Sequence, residues 1–299
     1  MSGAATIELK AGDLTLALAP TLGGAIAGFR RREFSLMRQT PPEALSEGLV
    51  RLTSSYPLIP YSNRIGQGRF TYRGENHQLT LNFGDYPHAI LGNAWQKPWQ
   101  VPEHDTTHCR LVLKHEAAGE GAKEWAFAYR AEQDFDLDDS GFGLTLTVEN
   151  RDEHSIPAGF GLHPFFPKRP GVCLQFAAQA VYQIGSDSLP AEVIDVPQAW
   201  DYHSFRELGE PQLDNCFKGW GGKALISFQE DWIGLRIEAD PVFAHLVVYV
   251  PPARDFLAVE PVSHMNNAVN RPDVTDNGLR HLAPGERLTG SVRFTVEAL

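Results

Sequence analysis

The chain is poor in the features that mark several protein classes. It has three cysteines in 299 residues, Cys109, Cys173 and Cys216, widely spaced and odd in number. That argues against a disulfide framework and predicts reduced thiols. Without a C-x-x-C pair there is no cysteine-based zinc signature either. Positive charge is the minority: 26 Lys and Arg against 37 Asp and Glu leave a formal charge of −11. Such a chain, with no Lys/Arg-rich tract, is unsuited to the phosphates of nucleic acid or to an anionic membrane surface. No apolar run approaches the ~18 residues of a membrane span. The start, Met1-Ser-Gly-Ala-Ala-Thr, lacks the basic-then-apolar pattern of a secretory signal. The expectation is a cytoplasmic protein. Nucleotide-binding patterns are missing, as are the G-x-S-x-G elbow and H-E-x-x-H. His104, His108 and His115 are close together, but their stretch is polar and without clustered Cys or Asp, so no metal site is expected there.

What is present is a period of two. Leu144, Leu146 and Val148 alternate with Thr145, Thr147 and Glu149. Ala224, Ile226 and Phe228 share one face, as do Ile233, Leu235 and Ile237, with a short polar turn between the two runs. Further strands are expected over 5–10, 14–18, 69–72, 77–82, 110–115, 126–132, 172–177, 245–250, 256–260 and 291–297. Residues 41–48, opening on Pro41-Pro42, predict a short helix; 116–124 and 272–286 read as surface loops. The length alone suggests about two domains. The many short strands, with no repeat and no linker, instead predict one all-β domain over residues 1–299, a large antiparallel sandwich with few short helices.

Several segments carry residues suited to chemistry. In Tyr56-Pro-Leu-Ile-Pro-Tyr-Ser-Asn-Arg-Ile65 an arginine, a rigid fork of donors, follows an apolar run; Arg64 is either a ligand-binding group or a surface residue at a strand end. His88 to Trp95 flanks a Gly turn, where His88 is either a binding group or a satisfied loop histidine. His163 sits in Gly161-Leu-His-Pro-Phe-Phe166, kept out of helix by the following proline. Nearby glycines allow close backbone approach and the aromatics could wall a pocket; His163 is either a poised acid or a core histidine. Glu260 closes the apolar strand Phe256–Val259, either buried and paired or used as a base. Asp214, in Leu213-Asp-Asn-Cys-Phe217, could accept bonds from sugar hydroxyls or cap a turn.

Taken in order, Asn63-Arg64-Ile65, His88–Trp95, Gly161–Phe166, Leu213–Phe217, Tyr249-Val-Pro-Pro252 and Glu260-Pro-Val-Ser-His264 resemble the aldose 1-epimerase (galactose mutarotase) family, bacterial branch, along most of the chain. The resemblance implies one large antiparallel β-sandwich, the galactose mutarotase-like supersandwich, with the site in a cleft on one sheet. It implies an isomerase that interconverts the α and β anomers of a free aldose, with a small-molecule sugar as partner and no metal or organic cofactor. Glu260 matches the family's general base and His163 its general acid. Arg64 and Asp214 match sugar-binding positions, and Asn63, beside Arg64, is counted with them. The family's His-Gly is Leu91-Gly92 here, so a sugar contact is missing; His88 is the residue in reach to take it over. The oligomeric expectation is a monomer or homodimer.

Three other readings compete. A hexose-6-phosphate 1-epimerase would need an added basic cluster, and the run Arg30-Arg-Arg32 reads as a solvated turn. A glycosidase would use Glu260 with Asp214 as its carboxylate pair and leave His163 idle. A catalytically weak sugar-binding protein would stack its ligand on Trp95, Trp99 or Trp220.

Overall fold

The computed structural model describes residues 4–299. It is built almost wholly of antiparallel strands. A nine-stranded sheet runs in the order Gln100–His104, His108–His115, Tyr129–Asp138, Gly141–Asn150, Arg287–Ala298, Ile233–Ala239, Lys223–Phe228, Val172–Phe176 and Arg206–Glu207. An eight-stranded sheet runs Pro190–Ile194, Ala180–Ile184, Asp214–Lys218, His245–Tyr249, Phe256–Val262, Gly161–Leu162 and Pro57–Leu58, with Phe165–Pro167 also paired to Phe256–Val262. A four-stranded sheet (Ile7–Ala11, Leu14–Ala19, Ala25–Arg31, Phe34–Ser35) packs beside them.

Strand periodicity explains this layering. Leu144, Leu146, Leu235, Ile237, Val292 and Phe294 turn one face of the nine-stranded sheet into the main core. Leu246, Val248, Leu257 and Val259 bring the eight-stranded sheet to the same core. The four-stranded sheet joins through Phe29, whose ring meets Phe142 edge-on at 4.8 Å, while Phe142 stacks on Phe294 at 4.7 Å. Aromatic pairs of this kind add about 0.5–1.5 kcal/mol each beyond the area they bury. The architecture is the expected sandwich.

The eight-stranded sheet is apolar on its other face as well. Val247, Ala258 and Val262 alternate with the core residues and meet Leu58, Leu91, Trp95, Met265 and Ala268 in a second cluster. A sheet covered on both faces allows its strands near-continuous hydrophobic runs, and His245–Tyr249 and Phe256–Val259 read that way.

Local differences from the sequence expectations have simple causes. The strand expected at 77–82 lies at Glu75–Gln78 and is nearly all exposed, so no buried face marked its register. The strand expected at 126–132 is Tyr129–Asp138, whose second half alternates Phe135 and Leu137 with three aspartates. The loop read at 116–124 holds the short helix Glu120–Glu124, which buries no residue and therefore shows no periodicity. The loop read at 272–286 contains the edge strand Arg280–Leu282. The helix expected at 41–48 is Pro42–Glu47, started by proline and closed by Gly48 in the left-handed region (φ 74°).

Candidate active site

The outer face of the eight-stranded sheet carries a cleft of about 390 Å³. Its floor follows from strand register. Gly161 faces Val262 and Phe165 faces Ala258, so His163 lies opposite Glu260. On the other side of Glu260 lies its ladder partner Val247. On the other side of His163 lies Tyr56, whose carbonyl accepts the His163 N–H at 3.1 Å. One row across the sheet therefore reads Tyr56, His163, Glu260, Val247. The next row on the same face, two residues along, reads Phe165, Ala258, Tyr249, Asp214. Residues distant in sequence meet because side chains alternate and register is fixed.

Glycine makes the close approach beneath this row possible. A Cβ on Gly161 would stand 2.6 Å from Val262 Cγ1, and one on Gly159 would stand 2.1 Å from His264 Cδ2. The sequence reading of these glycines matches their surroundings.

Glu260 is buried and His163 nearly so, with Nε2 and Oε1 3.4 Å apart. The His163 ring stacks on Phe165 at 4.4 Å and leans on Tyr56 at 5.0 Å. Burial, helped by the charge of Arg38, pushes the His163 imidazole down to about 3. Burial also pushes the Glu260 carboxyl well up; Asp214 adds to this and Arg64 opposes it. Each group alone resists its own charge. Side by side, a carboxyl pushed up and an imidazole pushed down favour the state that carries one proton on the pair.

Arg64 donates from Nη2 to Asp214 Oδ2 at 2.7 Å and is largely buried, while Asp214 is half exposed at the cleft edge. The guanidinium lies over the Tyr86 ring at 5.8 Å. Asn63, in the left-handed region at φ 54°, lines the same wall. Five buried polar atoms of the lining lack a protein partner: Arg38 Nε, Asn63 Oδ1, Arg64 Nη1, Tyr86 Oη and His163 Nδ1. Buried polar groups are normally satisfied, so this concentration marks a surface made for a polar ligand.

The structure thus brings Glu260, His163, Arg64, Asp214 and Asn63 together. It does not bring His88. That ring is buried outside the cleft lining, accepts the Gln67 N–H at Nδ1 (3.0 Å) and donates from Nε2 to the Asp187 carbonyl (2.6 Å). Both nitrogens are engaged, so the expected sugar contact from His88 is replaced by a structural one; the ring ties two loops and backs Tyr86. Leu91, where the family carries histidine, does line the cleft and gives it an apolar patch. Sequence reasoning missed Arg38, Arg51, Tyr86 and Arg254. Arg254 and Tyr249 lay inside or beside quoted segments, but Arg38 and Arg51 are lone arginines with no local signal.

Two other expectations were placed elsewhere. Arg31 and Arg32 of the arginine run pair with Asp13 on the four-stranded sheet, away from the cleft. His108, read as lacking acidic partners, meets Asp136 at 3.0 Å and Asp134 at 3.4 Å across strands. Arg110 neutralises Asp134 at 2.7 Å, which makes the group a surface ion-pair network.

Comparison with known proteins bears on the fold and the family. Residues 5–295 match the family described as aldose 1-epimerase. The chain is 30% identical to the uncharacterized Escherichia coli K12 protein YphB over 285 residues, 93% of this chain and 94% of the relative. A solved Escherichia coli K12 structure (b2544) is similar at 29% identity and a TM-score of 0.89, covering 99% of both chains. A galactose mutarotase-like protein from Clostridium acetobutylicum shares the fold at 17% identity and a TM-score of 0.87, over 98% of this chain and 95% of that one. On the match along nearly its whole length, the chain belongs to the aldose 1-epimerase family.

Proposed function

We propose that the protein is an aldose 1-epimerase, with Glu260 and His163 as its proton-transfer pair. The observation that carries this reading is their adjacency, 3.4 Å apart in one sheet row at the base of a cleft with unsatisfied polar groups. As carboxylate, Glu260 takes the proton of the C1 hydroxyl; as imidazolium, His163 gives its proton to the ring oxygen. The C1–O5 bond breaks, C1=O forms, and the free aldehyde turns about C1–C2. In closure the Glu260 carboxyl returns a proton to the aldehyde oxygen while His163 removes the one on O5. The pair holds one proton at every stage, so no net charge is created in the buried site.

Mutarotation of freshly dissolved α-D-galactose and α-D-glucose, followed by polarimetry, tests the reading, with pentoses and uronic acids next. Acceleration above the spontaneous rate is expected for at least one of them. No acceleration with any of these sugars, nor with their 6-phosphorylated or 6-sulfonated forms, would sink it.

The pair also sets the pH dependence. A second proton would leave the buried pair positive, and loss of the shared one would leave it negative. Burial opposes both, so the acid limb follows the lowered His163 to below the ordinary carboxyl value of 4.5 and the basic limb follows the raised Glu260 to well above it. kcat/KM is expected to be flat through pH 4.5. A rate that falls away as pH drops through 4.5 would show an unperturbed carboxylate acting independently instead.

Arg64→Ala is expected mainly to raise KM, by roughly tenfold, since a charge-assisted contact made in both ground and transition states is lost. Removing this cation also takes away the group that opposes the upward push on Glu260, so a smaller fall in kcat accompanies it. Steady-state kinetics that leave KM unchanged would make Arg64 a structural residue.

A further inference from the structure

We propose that the cleft takes an aldose bearing an anionic group, carboxylate, phosphate or sulfonate, on the exocyclic carbon attached to C5. This rests on the epimerase reading and names its substrate class.

The charge around the cleft carries the inference. Four arginines, Arg38, Arg51, Arg64 and Arg254, line it against two carboxylates, Asp214 and Glu260. This excess stands in a chain whose overall charge is −11. Arg64 and Asp214 neutralise each other, and Glu260 is buried 3.4 Å from His163, where burial favours its neutral form. Three cations remain. Among the described residues, Arg38, Arg51 and Arg254 make no salt bridge, although other surface arginines do; Asp255 acts on Arg38 only from beyond salt-bridge distance.

Arg38 is the most constrained of the three. Its guanidinium lies 3.7 Å from the Phe165 ring centre and 4.9 Å from that of Phe256. Nη2 donates to the carbonyls of Thr53 and Arg51, which leaves a buried Nε without a partner. An arginine held against two aromatic rings, bonded through one terminal nitrogen only, is a preset fork for an oxyanion. A partly buried cation without a counter-ion is costly, and an anionic substrate would offset that cost.

Position along the strands selects the sugar carbon. His163 stands at the ring oxygen. Phe165, two residues on and stacked on His163 at 4.4 Å, carries Arg38 on its ring. The ring oxygen is bonded to C1 and C5; Glu260 takes the C1 side, so C5 and its substituent are directed to the other side of His163, where Phe165 holds Arg38. Arg51, over Phe83 at 4.4 Å, and the exposed Arg254 complete the rim.

The experiment compares D-glucose with D-glucuronate, D-glucose 6-phosphate and 6-deoxy-6-sulfo-D-glucose, each followed by exchange NMR above its spontaneous rate. At least one anionic sugar is expected to exceed glucose in kcat/KM by about tenfold or more, the size of one charge-assisted contact. The three arms identify which anion. In Arg38→Met, and independently in the double variant Arg51→Gln/Arg254→Gln, whose side chains are exposed, the anionic-to-neutral ratio is expected to fall by about tenfold. Raising KCl should lower the same ratio. A wild-type ratio near one, or a ratio unmoved in the double variant, overturns the proposal. If no sugar turns over, the epimerase reading fails by itself. Calorimetric titration of the four sugars then decides the substrate class: preferential anion binding lost in the double variant upholds it, and equal binding ends it.

Discussion

Glu260→Gln is expected to lower kcat/KM by about 10²–10⁴, the range for a positioned general acid or base, and to leave the fold intact. Gln matches the carboxyl in shape but cannot take the C1 proton. His163→Asn is expected to lose a similar amount, and the double variant little more than either single one, because the two act as a unit. Stability should separate this from unfolding. Burial raises Glu260 above its ordinary value of 4.5, so ionising it disfavours the folded chain increasingly as pH rises past that value. Gln never ionises, so Glu260→Gln should be at least as stable as the parent near neutral pH. Denaturant melts alongside exchange NMR check both halves. A folded Glu260→Gln protein with near-parental turnover would remove Glu260 from the mechanism.

Gly92→Ala should be among the most damaging of the small substitutions. Gly92 has φ 69°, and a Cβ there would stand 1.9 Å from the Ile59 carbonyl oxygen and 2.8 Å from Pro60 N. These are backbone atoms that cannot swing aside. The Ile59 oxygen already accepts the N–H groups of Asn93 and Ala94, both at 3.1 Å, so moving it would break two bonds. Strain in the left-handed region costs about 1–3 kcal/mol by itself, and the clash adds to it. A loss of at least ~3 kcal/mol is expected from the urea midpoint. A loss under ~1 kcal/mol would mean that the Leu91–Trp95 loop yields far more easily than its packing indicates.

How much of this was legible in the sequence depended on which residues had a buried neighbour to alternate against. The runs 143–149, 224–228 and 233–237 could be read because each presents one apolar face to a common core. The strands Gly161–Leu162 and Phe165–Pro167 could not, since two or three residues broken by His163-Pro164 carry no period. Their pairing with Phe256–Val262 is nonetheless what sets His163 against Glu260. Arg64, Asp214 and Asn63 were readable through family-like segments. His88 was misplaced because local sequence does not reveal that Gln67 and Asp187 already occupy both of its ring nitrogens. Arg38 was invisible because an isolated arginine acquires meaning only from the two phenylalanines that the fold sets around it.

The row that joins Tyr56, His163, Glu260 and Val247 makes turnover a gauge of assembly. A slip of one residue by the strand Phe256–Val262 would send Glu260 into the core and put Val259 or Pro261 beneath the cleft. Such a molecule could keep its strand content and still be inert. Regained activity after refolding from urea therefore counts the chains whose strands have found their proper partners, whereas the far-ultraviolet signal counts all that have formed sheet. Any gap between the two would measure how often this sheet assembles out of step.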